Sequence, residues 1–161
     1  MVVQRVLLSV FAVLITTVVQ ADDVSGEERE NAFSERMAKT ALIGAFTFDG
    51  QNLDEAPKAE RYEIASVVKA AGNQWIFTAR VKYLNFDTTL PITVPVEWAG
   101  DTPVVTLTNA SLPGLGEGFS CRVLFHDDRY AGTWQHGAIG GHMFGRIVKQ
   151  AAQQKEEKTS E

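Results

Sequence analysis

Cysteine is almost missing from this chain: Cys121 stands alone among 161 residues. No internal disulfide can form, so the folded state must be held by packing. The usual signatures of catalysis are missing too. The sequence has no Gly-x-Ser-x-Gly, no Cys-x-x-Cys, no His-Glu-x-x-His and no glycine-rich loop opening a helix, which argues against elbow-type hydrolases, dithiol redox enzymes, zincins and phosphate-loop enzymes. No catalytic residue and no cofactor is implied, and a non-enzymatic role is expected. Positive charge is scarce as well. Lys and Arg number 15 against 20 Asp and Glu, a formal charge of -5, and such a surface repels phosphate backbones, so nucleic acid is not an expected partner.

The longest apolar run, Val6 to Val19, is 14 residues, short of the roughly 20 that span hydrocarbon. Arg5 precedes it and Val19-Gln20-Ala21 follows with a small-residue cleavage pattern. Residues 1–21 therefore read as a signal peptide cut before Asp22, with no membrane span expected in the mature chain. The destination is extracytoplasmic: periplasm, cell envelope or medium. Removal of residues 1–21 takes away Arg5 and no acid, so the charge becomes -6 on 140 residues. That length suits one domain able to bury its own core.

Residues 22–40 form an acidic segment carrying a short amphipathic helix. Ser25 stands three residues before Glu28 as in a capping box, and Phe33 and Met37 share one helical face. Such a helix is expected to cap something apolar. Over residues 41–148 the apolar period becomes two. Eight segments alternate: Leu42 to Phe48, Tyr62 to Val68, Trp75 to Tyr83, Leu90 to Trp98, Val105 to Leu107, Phe119 to Phe125, Tyr130 to His136, and His142 to Val148. Mostly short connections predict an all-β antiparallel meander, closed as a barrel or left as a partly open barrel or sandwich. Pro91 and Pro95 have the same parity, so that strand lacks two donors toward one neighbour and predicts a weak seam there. Residues 149–161 read as a polar, disordered tail.

Cys121 alternates with Phe119, Val123 and Phe125, the setting of a buried small hydrophobe rather than a reactive thiol. Asp127-Asp128 reads as a tight turn, not a catalytic pair. Trp75, Tyr83 and Trp98 read as core or interface aromatics rather than a sugar platform. The candidate ligand-binding residues are Trp75, Phe77, Val81, Trp98 and Trp134, which would line an interior holding a small apolar ligand. A protein partner added at the proline-marked edge, or a structural role in the envelope, are the other readings. A metal reading rests on His136 and His142, which face each other if Gly137 to Gly141 forms a five-residue loop. His126, Asp127 and Asp128 lie at the other end of that strand, about 25 Å away by strand rise, and do not complete the site. The same register sets Trp134 against Phe144 and Gly132 against Arg146, so that Arg146 reaches the indole.

Gly132-Thr133-Trp134 with Arg146 resembles the tryptophan–arginine clasp of calycin barrels such as the lipocalins, which implies barrel-like packing. A broader pattern spans Phe33 to Ile147. Leu42-Ile43-Gly44, Glu60-Arg61-Tyr62, Trp98 to Val104, Leu112 to Gly116, Arg129 to Trp134 and His136 to Ile147 resemble a group of small exported proteins of planctomycete-type bacteria. That group has no assigned activity, so the resemblance implies a bacterial exported protein and carries over no site residue.

Overall fold

The structure, a computed structural model, describes residues 20–150 except 53, 84, 85 and 115; of residues 20–24, 82, 83 and 86 it describes the backbone alone. One helix, α1 (Gln20–Met37), precedes eight strands: β1 (Thr40–Phe46), β2 (Lys58–Ala71), β3 (Gln74–Tyr83), β4 (Phe86–Ala99), β5 (Thr102–Leu112), β6 (Gly116–His126), β7 (Arg129–His136) and β8 (Ile139–Lys149). Each strand pairs antiparallel with its sequence neighbours, and β8 returns to β1, giving a closed barrel. The all-β meander expected from the alternation is what forms.

Pairing register fixes which side chains enter. Leu42 lies opposite both Tyr62 and Ile147, Trp75 opposite Val94, Val96 opposite Val105, and Val123 opposite Gly132. These positions point inward. Arg61, Glu63, Arg80, Arg122, Arg129 and Arg146 have the opposite parity and face out. At these positions apolar side chains turn in and charged ones turn out, although Val68, Leu124 and Phe144 are exposed on the outer face.

The helix closes one end. Phe33 enters among Trp75, Trp98, Phe125 and Phe77, with ring centroids 5.4, 5.8, 6.0 and 6.2 Å away. Met37, one turn later, is fully buried. Three further contacts tie the helix down. Arg29 lies 4.3 Å from the Trp98 ring centroid and donates to the Gly100 carbonyl; Lys69 pairs with Glu30 at 2.6 Å; and the Lys149 ammonium donates to the carbonyls of Glu35, Arg36 and Ala38. Those last bonds satisfy carbonyls that a helix C-terminus leaves without partners.

Several expectations need correction. Residues 1–19, the bulk of the expected signal, and 151–161 of the expected tail lie outside the described residues. The helix already runs from Gln20, so Ser25 sits inside it rather than at a capping box. The barrel extends past the expected boundary: Lys149 ends β8, and Gln150 donates to the carbonyls of Lys39 and Thr40. The proline-marked seam forms on one side of β4, although the barrel still closes. The Val96 N–H goes to Asn73 beside β3, so by alternation Pro91 and Pro95 turn their missing donors toward β5. There β4 pairs only from Val96 to Ala99, and the barrel closes through that short contact.

The β7–β8 hairpin is the largest correction. Gly137-Ala138 makes a two-residue turn, with Gly137 at φ 60° and His136 opposite Ile139. Glycine takes this conformation without steric cost, as the first central residue of such a turn. The change from a five-residue to a two-residue turn moves the register by an odd number, which reverses every facing relation on β8. Trp134 lies opposite Gly141, Phe144 opposite Ala131, and Gly132 opposite Met143. Arg146 therefore faces outward beside Arg129 and does not stack on the indole. By contrast, Asp127-Asp128 forms the expected tight turn, with Asp127 at φ 48°.

Removing the stopper tests this packing. Phe33→Ala is expected to destabilise the barrel by about 3–5 kcal/mol, measured by urea denaturation, with the Trp75 emission shifting toward that of a wetter indole.

Candidate functional site

The two ends of the barrel differ in what covers their inward side chains. At the helix end, Trp75, Val67, Val96, Val123, Phe125 and Ile147 are all buried. At the other end, Phe46, Glu60, Tyr62, Leu112, Phe119, Cys121, Trp134 and Met143 point inward by register, yet each is only partly buried. Inward-facing side chains that still reach solvent describe a mouth.

Three aromatic rings line one side of it. Phe46, Phe48 and Trp134 meet edge to face, with centroids 5.4, 5.7 and 5.6 Å apart, the arrangement that ring quadrupoles favour. β1 continues past Phe46 because the Thr47 N–H bonds the His142 carbonyl and the Asp49 N–H bonds that of Gly140. This extension brings Phe48 to Trp134. The indole crosses next to Gly141 and donates its N–H to the Thr47 carbonyl at 3.2 Å. On the other side, Phe119 and His136 stack nearly parallel with centroids 4.0 Å apart.

Deeper in, one carboxylate is held by two phenols. Tyr130 donates to Glu60 Oε1 at 2.7 Å, and Tyr62 donates to Oε2 at 3.1 Å. Tyr130 reaches Glu60 from three strands away because the register row between them is Gly145 and then Gly44. A Cβ on Gly44 would stand 2.5 Å from the Tyr130 hydroxyl oxygen, and one on Gly145 would stand 2.7 Å from its ring. Only a row without side chains lets the ring lie flat across two strands.

The electrostatics follow from burial. Desolvation pushes the Glu60 carboxyl above its ordinary value, against the two phenol hydrogen bonds that favour its ionised form. Burial first, and then the Glu60 charge and hydrogen bond, push Tyr62 far up; burial and then the Glu60 hydrogen bond do the same to Tyr130. Both phenols therefore keep their protons. Burial also raises the Cys121 thiol, against a backbone hydrogen bond with Leu107 and the nearby Arg122 charge. Cys121 is thus an inward, neutral thiol, but only partly buried rather than fully covered as its neighbours implied.

The expected site residues separate into two groups. Trp75, Phe77 and Trp98 come together, but around Phe33 of the helix rather than around an open space. Val81 lies opposite Tyr62, and Trp134 stands at the mouth. His136 and His142 do not face each other. His136 points inward onto Phe119, while His142 lies opposite Thr133 on the outer face and is exposed. Among the described residues no three His, Cys, Asp or Glu side chains group as metal ligands. Glu60 escaped sequence reading although its signal was there: an acid two residues before Tyr62, on the inward parity of an alternating strand. Compared with known protein families, curated proteins and solved structures, the chain matches none.

Two measurements test the cluster. Because the folded state holds the Glu60 proton more tightly than the unfolded chain, ionisation costs stability: the carboxyl's contribution is fully present below the ordinary carboxylate value of 4.5 and is lost as pH rises through the higher folded value. The stability of wild type relative to Glu60→Gln should therefore fall between acid and neutral pH in urea titrations; a constant difference would contradict the cluster. Gly145→Ala should displace the Tyr130 ring and destabilise the protein by roughly 1–3 kcal/mol through overpacking, read from the same denaturation curves.

Proposed function

We propose that this chain is an exported, non-enzymatic barrel that binds one small, largely apolar molecule through the end opposite the helix. The observation that carries this reading is an asymmetry of cover: at the helix end the inward side chains except Trp98 are buried under Phe33 and Met37, while at the other end Val81 and Leu90 are buried but Phe46, Glu60, Phe119, Trp134 and Met143 are only partly so. An eight-stranded barrel has an interior able to hold either packed side chains or one small ligand. Here the helix end is filled by side chains, and the lining of the mouth is apolar and aromatic with a few convergent polar groups, the usual make-up of a small-molecule site. The signal pattern at 1–21 and the resemblance to small exported proteins of planctomycete-type bacteria support an extracytoplasmic setting for that task.

A neutral, environment-sensitive dye such as N-phenylnaphthylamine tests the reading. Wild type is expected to bind about one equivalent with quenching of Trp134, and Met143→Trp, which adds bulk at the mouth, is expected to weaken binding at least about tenfold while leaving the urea midpoint within a few tenths of a molar. Native mass spectrometry of protein from its own host should find a small molecule bound. A folded wild-type protein that neither binds the dye nor carries any such molecule contradicts the reading.

A further inference from the structure

We propose that the molecule taken up at the mouth is an organic cation, an apolar body bearing an ammonium group that seats against Glu60. This rests on the ligand-binding reading above and adds the chemistry of the head group.

The polar groups around Glu60 are one-sided. Tyr62 and Tyr130 both direct their hydroxyl protons to Glu60, and the Trp134 N–H is directed to the Thr47 carbonyl. What this cluster still offers is acceptor capacity. A carboxylate has about four lone-pair sites, of which the phenols occupy one on each oxygen, and the phenolic oxygens can themselves accept. An ammonium brings donors and no acceptor, so it complements the groups around Glu60; a carboxylate ligand seated there would meet phenol donors already used and a like charge.

The rings above Glu60 point the same way. Aromatic faces attract cations, more strongly where water is partly excluded. Lys58 and Glu60 stand on the inward parity of β2, with Lys58 opposite Phe46. The Lys58 ammonium lies 4.8 Å from the Phe48 ring centroid. This mouth therefore already holds an ammonium on an aromatic face, one supplied by the chain itself, within two residues of the carboxylate.

The test compares three ligands that share a six-carbon chain and differ only in the head group: hexylamine, hexanol and hexanoate. Each is titrated into the full chain by calorimetry and by Trp134 fluorescence. Hexylamine is expected to bind about tenfold or more tighter than the other two. Glu60→Gln should bring hexylamine down to the level of hexanol and leave hexanol unchanged. Lys58→Met, which removes the chain's own competing cation, should tighten hexylamine and weaken hexanoate. Tighter binding of hexanoate than hexylamine, or an amine preference that survives Glu60→Gln, overturns the proposal. Equal binding of all three overturns the cation and leaves mouth binding standing, whereas failure of all three together with the neutral dye overturns both.

Discussion

Phe33 sets the inside of this barrel. The bore of eight strands leaves room for side chains or for one small ligand, and a single ring from outside the sheet takes up that room at one end. Trp75, Trp98, Phe125 and Phe77 close on it at centroid distances of 5.4 to 6.2 Å. The helix carrying Phe33 is then fixed by Arg29 on Trp98 and by Lys149 on the helix's last carbonyls. At the other end, among the described residues, Phe46, Glu60, Tyr62, Phe119, Trp134 and Met143 are only partly buried.

Glycine spacing shapes that second end. The row Tyr130, Gly145, Gly44, Glu60 lets a phenol span two strands and reach a carboxylate. Without the two glycines, Tyr130 would be turned away and Glu60 would be left partly desolvated with one partner fewer. A buried carboxylate is costly even when hydrogen-bonded, and its upward-shifted ionisation expresses that cost. Stability alone would be better served by an apolar residue. The carboxylate is thus a place where the barrel gives up some stability, and the proposed ligand site joins the aromatic mouth to Glu60.

Much of the fold was legible because alternation over eight segments is a direct record of inward and outward faces. Phe33 and Met37 on one helical face announced a cap, Cys121 announced its inward position, and the like parity of Pro91 and Pro95 announced weak pairing. Turn length was not legible in the same way. Gly137 to Gly141 holds three glycines, Gly137, Gly140 and Gly141, and any of several turns could have used them; an odd error in that choice exchanged the faces of Phe144 and Met143 and set His142 on the wrong side. The placement of the candidate site residues was legible only in part. Trp134 is partly buried beside Phe46 and Phe48, and Val81 is buried opposite Tyr62, whereas Trp75, Phe77 and Trp98 pack on Phe33 of the helix, because nothing in strand periodicity says which end a separate element will fill. Glu60 was hidden by the habit of reading acids as solvent-facing, although its parity with Tyr62 said otherwise.

The central claim, one end sealed by Phe33 and the other open, is tested most directly by acrylamide quenching of single-tryptophan proteins that retain either Trp75 or Trp134, the remaining tryptophans being replaced by Phe. The account predicts that Trp134 is quenched several-fold more readily than Trp75, and that adding Phe33→Ala brings Trp75 up toward the accessibility of Trp134. Equal quenching of the two indoles with Phe33 in place would contradict it.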